Sequence, residues 1–171
     1  MIHRVGNMFQ VWETTDLFVI STNSYINRVG DLVMGRGIAY DVATRWPQLP
    51  SYYGQLLLTR RLHLRSYGFL PPDPSLYFKS SGMDFNRHPQ SKIALFQVKT
   101  HFNFTAQLDL IQQSVEGLRQ WLQYRPPYRV DMNFPGIGNG SLTKSEILPL
   151  LVGLPDNVTV WETYEERFTL I

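Results

Sequence analysis

Along the chain, apolar residues gather in short runs divided by polar and glycine-rich breaks, and the length and spacing of each run selects its element. Residues 8–12 and 17–20, parted by the turn-like Glu13-Thr14-Thr15-Asp16, read as two strands. Periodicity lapses over 22–31, the chain tightens at Gly35-Arg36-Gly37, and a helix begins at Ile38 and stops at Trp46-Pro47. A second helix is expected over 49–61. Alternation over 62–78 suggests strand around a Pro71-Pro72-Asp73-Pro74 turn, and 80–91 reads as an exposed loop. Residues 93–98 form a buried strand that ends at Lys99-Thr100-His101. Leu108, Ile111, Val115, Leu118 and Leu122 share one helical face, which predicts a helix over 106–124 with that stripe in the core. Another strand over 130–134, a glycine turn over 135–141, a helix over 144–151 and a last strand over 158–161 complete the chain. Strands alternating with helices predict an α/β fold with a largely parallel central sheet.

Composition narrows the classes. The 171 residues are 43% hydrophobic and 13% aromatic, enough to bury a core, and no repeat or shift in composition marks a linker, so one domain over 1–171 is expected. With 16 Lys+Arg against 14 Asp+Glu the net charge is +2, which advertises neither a nucleic-acid surface nor a polybasic anchor. The cysteine count of 0 excludes disulfides, thiolate nucleophiles and cysteine-ligated zinc. His101 has no second histidine or carboxylate at ligand spacing, and His3, His63 and His88 are scattered, so neither metal nor cofactor is expected. No stretch nears the roughly 18 apolar residues of a membrane span or forms a leader-like apolar run. The expectation is a soluble, cytoplasmic protein without a membrane partner.

The chemistry resides in a repeated unit of strand, glycine-rich loop and helix start, at 20–39 and again at 132–147. In an open α/β sheet both loops emerge at the carboxyl edge, where ligands bind. Glycine lets backbone N–H groups approach an anion, and a helix N-terminus adds partial positive charge, so two such loops suit a diphosphate. The bland alternative is that each glycine merely permits a turn. Gly138-Asn139-Gly140-Ser141-Leu142-Thr143-Lys144-Ser145 approaches a phosphate-binding P-loop, but Thr143 stands where the second glycine is needed. Lys144 is therefore expected to be a solvated residue in a helix's first turn. Lysine is scarce, with only Lys79, Lys92, Lys99 and Lys144 in the chain.

Gly6-Asn7-Met8 after a first strand, Thr22-Asn23 after a second, Val33-Met34-Gly35-Arg36-Gly37-Ile38-Ala39, Phe96-Gln97-Val98-Lys99-Thr100-His101-Phe102 and Pro135-Gly136-Ile137-Gly138-Asn139-Gly140 together resemble a macrodomain, the ADP-ribose-binding α/β module. The resemblance spans nearly the whole chain. It is strongest to the branch with the DarG-type DNA ADP-ribosyl glycohydrolases, the terminal ADP-ribose glycohydrolases and the ADP-ribose-1''-phosphate phosphatases. It implies a three-layer α/β/α fold with a mixed, largely parallel sheet, and ADP-ribose, or ADP-ribosylated DNA or protein, as the partner. Asn7, Met8 and Thr22 would line the site. Val33, Met34, Gly35, Arg36, Gly37 and Ile38 would wrap the diphosphate and proximal ribose. Gly136, Ile137, Gly138, Asn139, Gly140 and Ser141 would close over the diphosphate, and Asn23 would face the distal ribose. Lys99 matches the lysine implicated in glycohydrolysis, acting as a nucleophile at C1'' or as a cation that stabilises charge there. Either role needs desolvation or a neighbouring cation, with His101 as a candidate, to modulate its pKa.

The chain departs from that pattern twice. Asn7 stands where an Asp usually accepts from the adenine amino group, and Gly140-Ser141-Leu142 is shorter than the corresponding stretch of the terminal glycohydrolases and lacks the acidic residue they place there. Other readings stay open beside the sharp ones. Asn23 can be a simple turn residue and Lys99 a solvated cation, which would leave a non-catalytic reader of ADP-ribose. Trp161 and Tyr164 can stack on a base or serve as core or lid, and Arg36 can meet a phosphate, a partner or only solvent.

Overall fold

In the computed structural model, which describes residues 1–73 and 84–166, six strands form one sheet: β1 (Ile2–Val5), β2 (Leu17–Thr22), β3 (Phe69–Leu70), β4 (Ile93–Gln97), β5 (Val130–Asn133) and β6 (Val158–Glu162). Their order is β1-β6-β5-β2-β4-β3. Every neighbouring pair is parallel except β3 with β4. Among the described residues four helices cover the faces: α1 (Gly37–Arg45), α2 (Leu49–Thr59), α3 (Leu108–Gln123) and α4 (Lys144–Leu151). The result is the expected three-layer α/β/α arrangement.

A parallel strand covered on both faces reads as a near-continuous apolar run. In β2, Leu17 and Val19 pack with Ile111, Leu118 and Ile147 from α3 and α4, while Phe18 and Ile20 pack with Val42, Leu49 and Leu57 from α1 and α2. The stripe of α3 is buried as its periodicity demands, except that Leu108 opens the helix with 39% of its surface exposed and Leu110 is buried instead. Among the described residues no helix is long and apolar enough to cross a membrane.

The apolar run at 8–12 is not a strand. Asn7 caps a 3-10 turn at Met8–Val11, and burial of Met8, Val11 and Trp12 follows three- and four-residue spacing rather than alternation. The strand that precedes Gly6 is β1, an edge strand whose exposed Ile2, His3 and Arg4 carry no apolar signature. Among the described residues of 62–78 the chain forms a 3-10 turn at Leu62–Leu64 and only the two-residue β3; 74–78 of that expected strand, with Lys79 and the start of the 80–91 loop, lie outside the described residues. The end of the loop folds inward, with a 3-10 turn at Pro89–Ser91 that buries Ser91.

One contact fixes how α2 meets the loop before α1. A Cβ on Gly54 would lie 1.8 Å from the Gly30 carbonyl oxygen, so backbone touches backbone there. Gly54→Ala is expected to lower stability by about 3 kcal/mol in urea denaturation; a loss under about 1 kcal/mol would show that α2 moves away freely.

Candidate functional site

Adjacent strands β2 and β5 send the chain to opposite faces, β2 into α1 and α2 and β5 into α4. In an open sheet a crevice forms at such a switch point, beyond the carboxyl ends of the strands. Backbone pairing of β2 with β5 reaches only Val19 opposite Met132. Two residues on, the Ser21 N–H donates to the side-chain Oδ1 of Asn133 at 2.8 Å, and Asn133 Nδ2 donates to Ser21 Oγ at 3.0 Å. A side chain replaces a backbone rung, the strands splay, and a cleft of about 1360 Å³ opens above them.

The two glycine-rich loops wall this cleft. The first enters α1 with no side-chain cap, and the backbone N–H groups of residues 35–39 donate to no other described group. Those of 136–139 in the second loop are equally unpartnered. Gly136 is at φ +79°, a conformation that strains any other residue, and a Cβ there would also crowd Ile111 Cδ1 at 2.8 Å. Asn139 Nδ2 stands 3.5 Å from where a Cβ on Gly37 would be, so the loops touch across the cleft. Backbone donors are ordinarily paired, and two unpaired sets at one cleft, one at a helix N-terminus, make an anion site.

Lys99 follows β4 and is 8% exposed. Its Nζ donates to the carbonyl oxygens of Phe102 at 3.1 Å and Asn139 at 3.3 Å, which braces the second loop. Burial pushes its pKa below the ordinary lysine range, and the positive charge of Arg36 pushes it the same way. The modulating cation is thus Arg36 rather than His101, whose Nδ1 accepts the Asn103 N–H at 3.1 Å while its ring stacks on Phe102. Asn23 lines the cleft and also serves as a turn residue. Its Nδ2 donates to the Val33 carbonyl at 3.0 Å and its Oδ1 accepts the Tyr25 N–H at 2.8 Å, tying β2 to the first loop.

Asn7, Met8, Thr22, Val33, Gly35, Arg36, Gly37 and Ile38 line the cleft, as do Gly136, Ile137, Gly138, Asn139 and Gly140. Met34 and Ser141 do not. Met34 is buried in the core beneath α1 and α2, and Ser141 is an exposed residue at φ +62° that closes the turn Gly138–Gly140. Trp161 is a core residue with an edge on the cleft, its Nε1 donating to the buried Asp131 at 2.8 Å, while Tyr164 is exposed on the rim. Among the described residues no three His, Cys, Asp or Glu side chains group as a metal site. Ser21, Phe9, Asp41, Phe102 and Asn133 also line the cleft, unanticipated from sequence. Asn133 had the one legible signal, a polar residue ending an apolar strand immediately before a glycine turn. Burial raises the Asp41 carboxyl above its usual pKa.

Sheet order, splayed central strands and two loops of free amides define the macrodomain fold. Solved structures place the chain among such folds: the macrodomain of Thermus aquaticus DarG, 22% identical over 96% of this chain and 97% of that one, with a TM-score of 0.60, and the macrodomain of Mycobacterium tuberculosis DarG, 20% identical over 94% and 97%, with a TM-score of 0.65. Thermosipho africanus DarTG in complex with ADP-ribose is 18% identical over 96% of this chain but only 43% of that chain, with a TM-score of 0.65. No family model matches the sequence, and no curated protein matches it.

Lys144, expected in solvent, is buried, and its Nζ lies 2.5 Å from Glu162 Oε2. Thr143, which spoils the P-loop pattern, is the N-cap of α4 in a reciprocal bond pair with Glu146. The Lys144–Glu162 pair clamps α4, and hence the second loop, to the end of β6. Breaking a buried ion pair leaves a charge uncompensated, so Lys144→Met is expected to cost about 3 kcal/mol by urea denaturation. A cost below about 1 kcal/mol would assign the anchoring of α4 to its apolar face alone.

Proposed function

We propose that the chain is one macrodomain over 1–171, of the DarG-type branch, that binds ADP-ribose between its two glycine loops and hydrolyses it from ADP-ribosylated DNA or protein, or processes ADP-ribose-1''-phosphate. It acts in the cytoplasm without metal or cofactor. The observation that carries the reading is the pair of unpartnered amide sets, residues 35–39 and 136–139, on either side of one cleft. Such amides hold a diphosphate without a basic patch, which fits a net charge of only +2. The likeness in fold to DarG macrodomains and to the DarTG complex with ADP-ribose supports the same ligand here.

Lys99 is the catalytic residue. As a neutral amine it spends two N–H bonds on the carbonyls of Phe102 and Asn139, and its lone pair is then the one position left for substrate. The ring opens as the C1''–O4'' bond breaks and O4'' takes up a proton, the nitrogen adds to C1'' and gives up a proton to the leaving group, the bond from C1'' to that group breaks, and water hydrolyses the resulting iminium to the C1'' aldehyde and the free amine. As an ammonium the same group directs its third N–H at charge developing on the ribose. Asn23 holds the first loop and the distal ribose in register with it. A non-catalytic reader has one observation in its favour, that Lys99 already braces the second loop.

Calorimetric titration with ADP-ribose is expected to saturate, and no heat at millimolar ligand overturns both readings. Lys99→Ala should keep binding within about threefold while release of ADP-ribose from modified DNA, modified protein or ADP-ribose-1''-phosphate falls at least about 100-fold. Equal background release by the wild type and the variant leaves the reader. If the amine is the nucleophile, turnover rises with pH through the lowered pKa of Lys99 and then levels off. Removing the second cause of that lowering, in Arg36→Gln, should move the midpoint of the kcat/KM profile to higher pH; an unmoved midpoint assigns the lowering to burial alone.

A further inference from the structure

Lys99 and Arg36 reach one end of the cleft from different elements. Lys99 follows β4, and its Nζ donates to the Asn139 carbonyl at 3.3 Å. The side-chain Nδ2 of that same Asn139 comes to 3.5 Å from the place of a Cβ on Gly37, the residue after Arg36. Both cations line the cleft, connected through that one residue. The charge of Arg36 is felt at the amine, since it pushes the pKa of Lys99 further down.

Neither cation is neutralised. Arg36 makes no side-chain hydrogen bond and no ion pair among the described residues, and Lys99 donates only to the neutral carbonyls of Phe102 and Asn139. As an ammonium it keeps a third N–H. The carboxylates of the cleft stand elsewhere. Glu162, Glu165 and Glu166 lie at and beyond the end of β6, which β5 and β2 separate from β4, and Glu162 is held by Lys144. Asp41 is on the second turn of α1, where burial raises its pKa and no cation lowers it. Two like charges at one cleft wall, one of them on a buried side chain, raise the free energy of the empty cleft, and an anion between them offsets that cost. A guanidinium supplies a planar fork of donors and an ammonium a compact charge, a combination that suits phosphate oxygens. The diphosphate has its donors already, in the amides of 35–39 and 136–139.

We propose that Arg36 and Lys99 form a second anion subsite, for a phosphate monoester carried at C1'' of a bound ADP-ribose. A monoester has about two negative charges at neutral pH, one for each cation, whereas a carboxylate has one and a base none. The ligand class that the cleft holds best is therefore a glycosyl phosphate rather than a modified base or side chain. Arg36 gains a role separate from the diphosphate loop in which it lies. The proposal rests on the reading that ADP-ribose lies in the cleft with C1'' toward Lys99.

The test is calorimetric titration of the wild type, Arg36→Gln and Arg36→Lys, with the thermal midpoint of each protein as a check on folding. The ligands are ADP-ribose, its C1''-methylenephosphonate, in which carbon replaces the bridging oxygen so that no phosphate is released, and ADP-ribose with a 2'-phosphate on the adenosine ribose. The wild type is expected to bind the phosphonate about tenfold or more tighter than ADP-ribose, and the 2'-phosphate no tighter than ADP-ribose. Arg36→Gln should reduce the gain from the phosphonate to about threefold or less, and Arg36→Lys, which keeps the charge, should retain more of it. A wild-type gain within about twofold, or a gain that Arg36→Gln leaves unchanged, overturns the subsite while ADP-ribose still binds. A gain from the 2'-phosphate in place of the phosphonate overturns it too, by turning the ligand end for end. Failure of all three ligands to bind overturns the diphosphate-ribose reading itself.

Discussion

The splay of β2 from β5 is the constraint on which the rest of the site depends. Two parallel strands whose chains leave to opposite faces cannot keep their ladder to the end, and here the last rung is made by the Asn133 side chain on Ser21 rather than by backbone. Without the splay both glycine loops would have a closed sheet edge beneath them. With it, each loop arches over a gap, and its amides turn to a space that no protein group fills. Helix α1 begins at that gap without a side-chain cap, so its partial charge is directed at the cleft instead of being spent locally.

Electrostatics then separates lysines that look alike in sequence. Lys92 is buried at the opposite edge of the sheet, its Nζ donating to the Trp12 carbonyl at 2.5 Å and lying over the rings of Trp12 and Phe85. Lys144 is held against Glu162. Lys99 is bonded to neutral carbonyls, with Arg36 raising the cost of its charge. Burial lowers the pKa of both Lys92 and Lys99, but Glu13 and Asp16 oppose it at Lys92 whereas Arg36 adds to it at Lys99. Three buried amines thus have three environments, and one of them opens on the cleft.

Much of the architecture was legible because burial on two faces leaves a strong imprint. The unbroken apolar run of β2, the buried β4 and the three- and four-residue stripe of α3 each follow from the geometry of their element. The edge strand β1 left no such imprint, since an exposed strand need not be apolar, and the run at 8–12 misled because a 3-10 turn buries a similar number of side chains with different spacing. Leu108 fits the helical stripe and yet is exposed, while Leu110, which lies off the stripe, is buried in the same turn. Both glycine loops were recognisable, but Met34 and Ser141 within them were not separable from their neighbours, since burial under α2 and a left-handed turn are set by what lies around them.

The sequence by itself determined the alternation of strand and helix, the two glycine loops, the absence of cysteine chemistry and the shortage of lysine, because these reside in local composition and period. Only the tertiary structure decided which side chains meet. It set Arg36 rather than His101 as the cation acting on Lys99, buried Lys144 against Glu162, let Asn133 stand in for a backbone rung, and turned the Asn7 amide by a bond to Phe9. Contacts of this kind join residues from different elements, and their energies depend on distance and burial, which spacing along the chain does not contain.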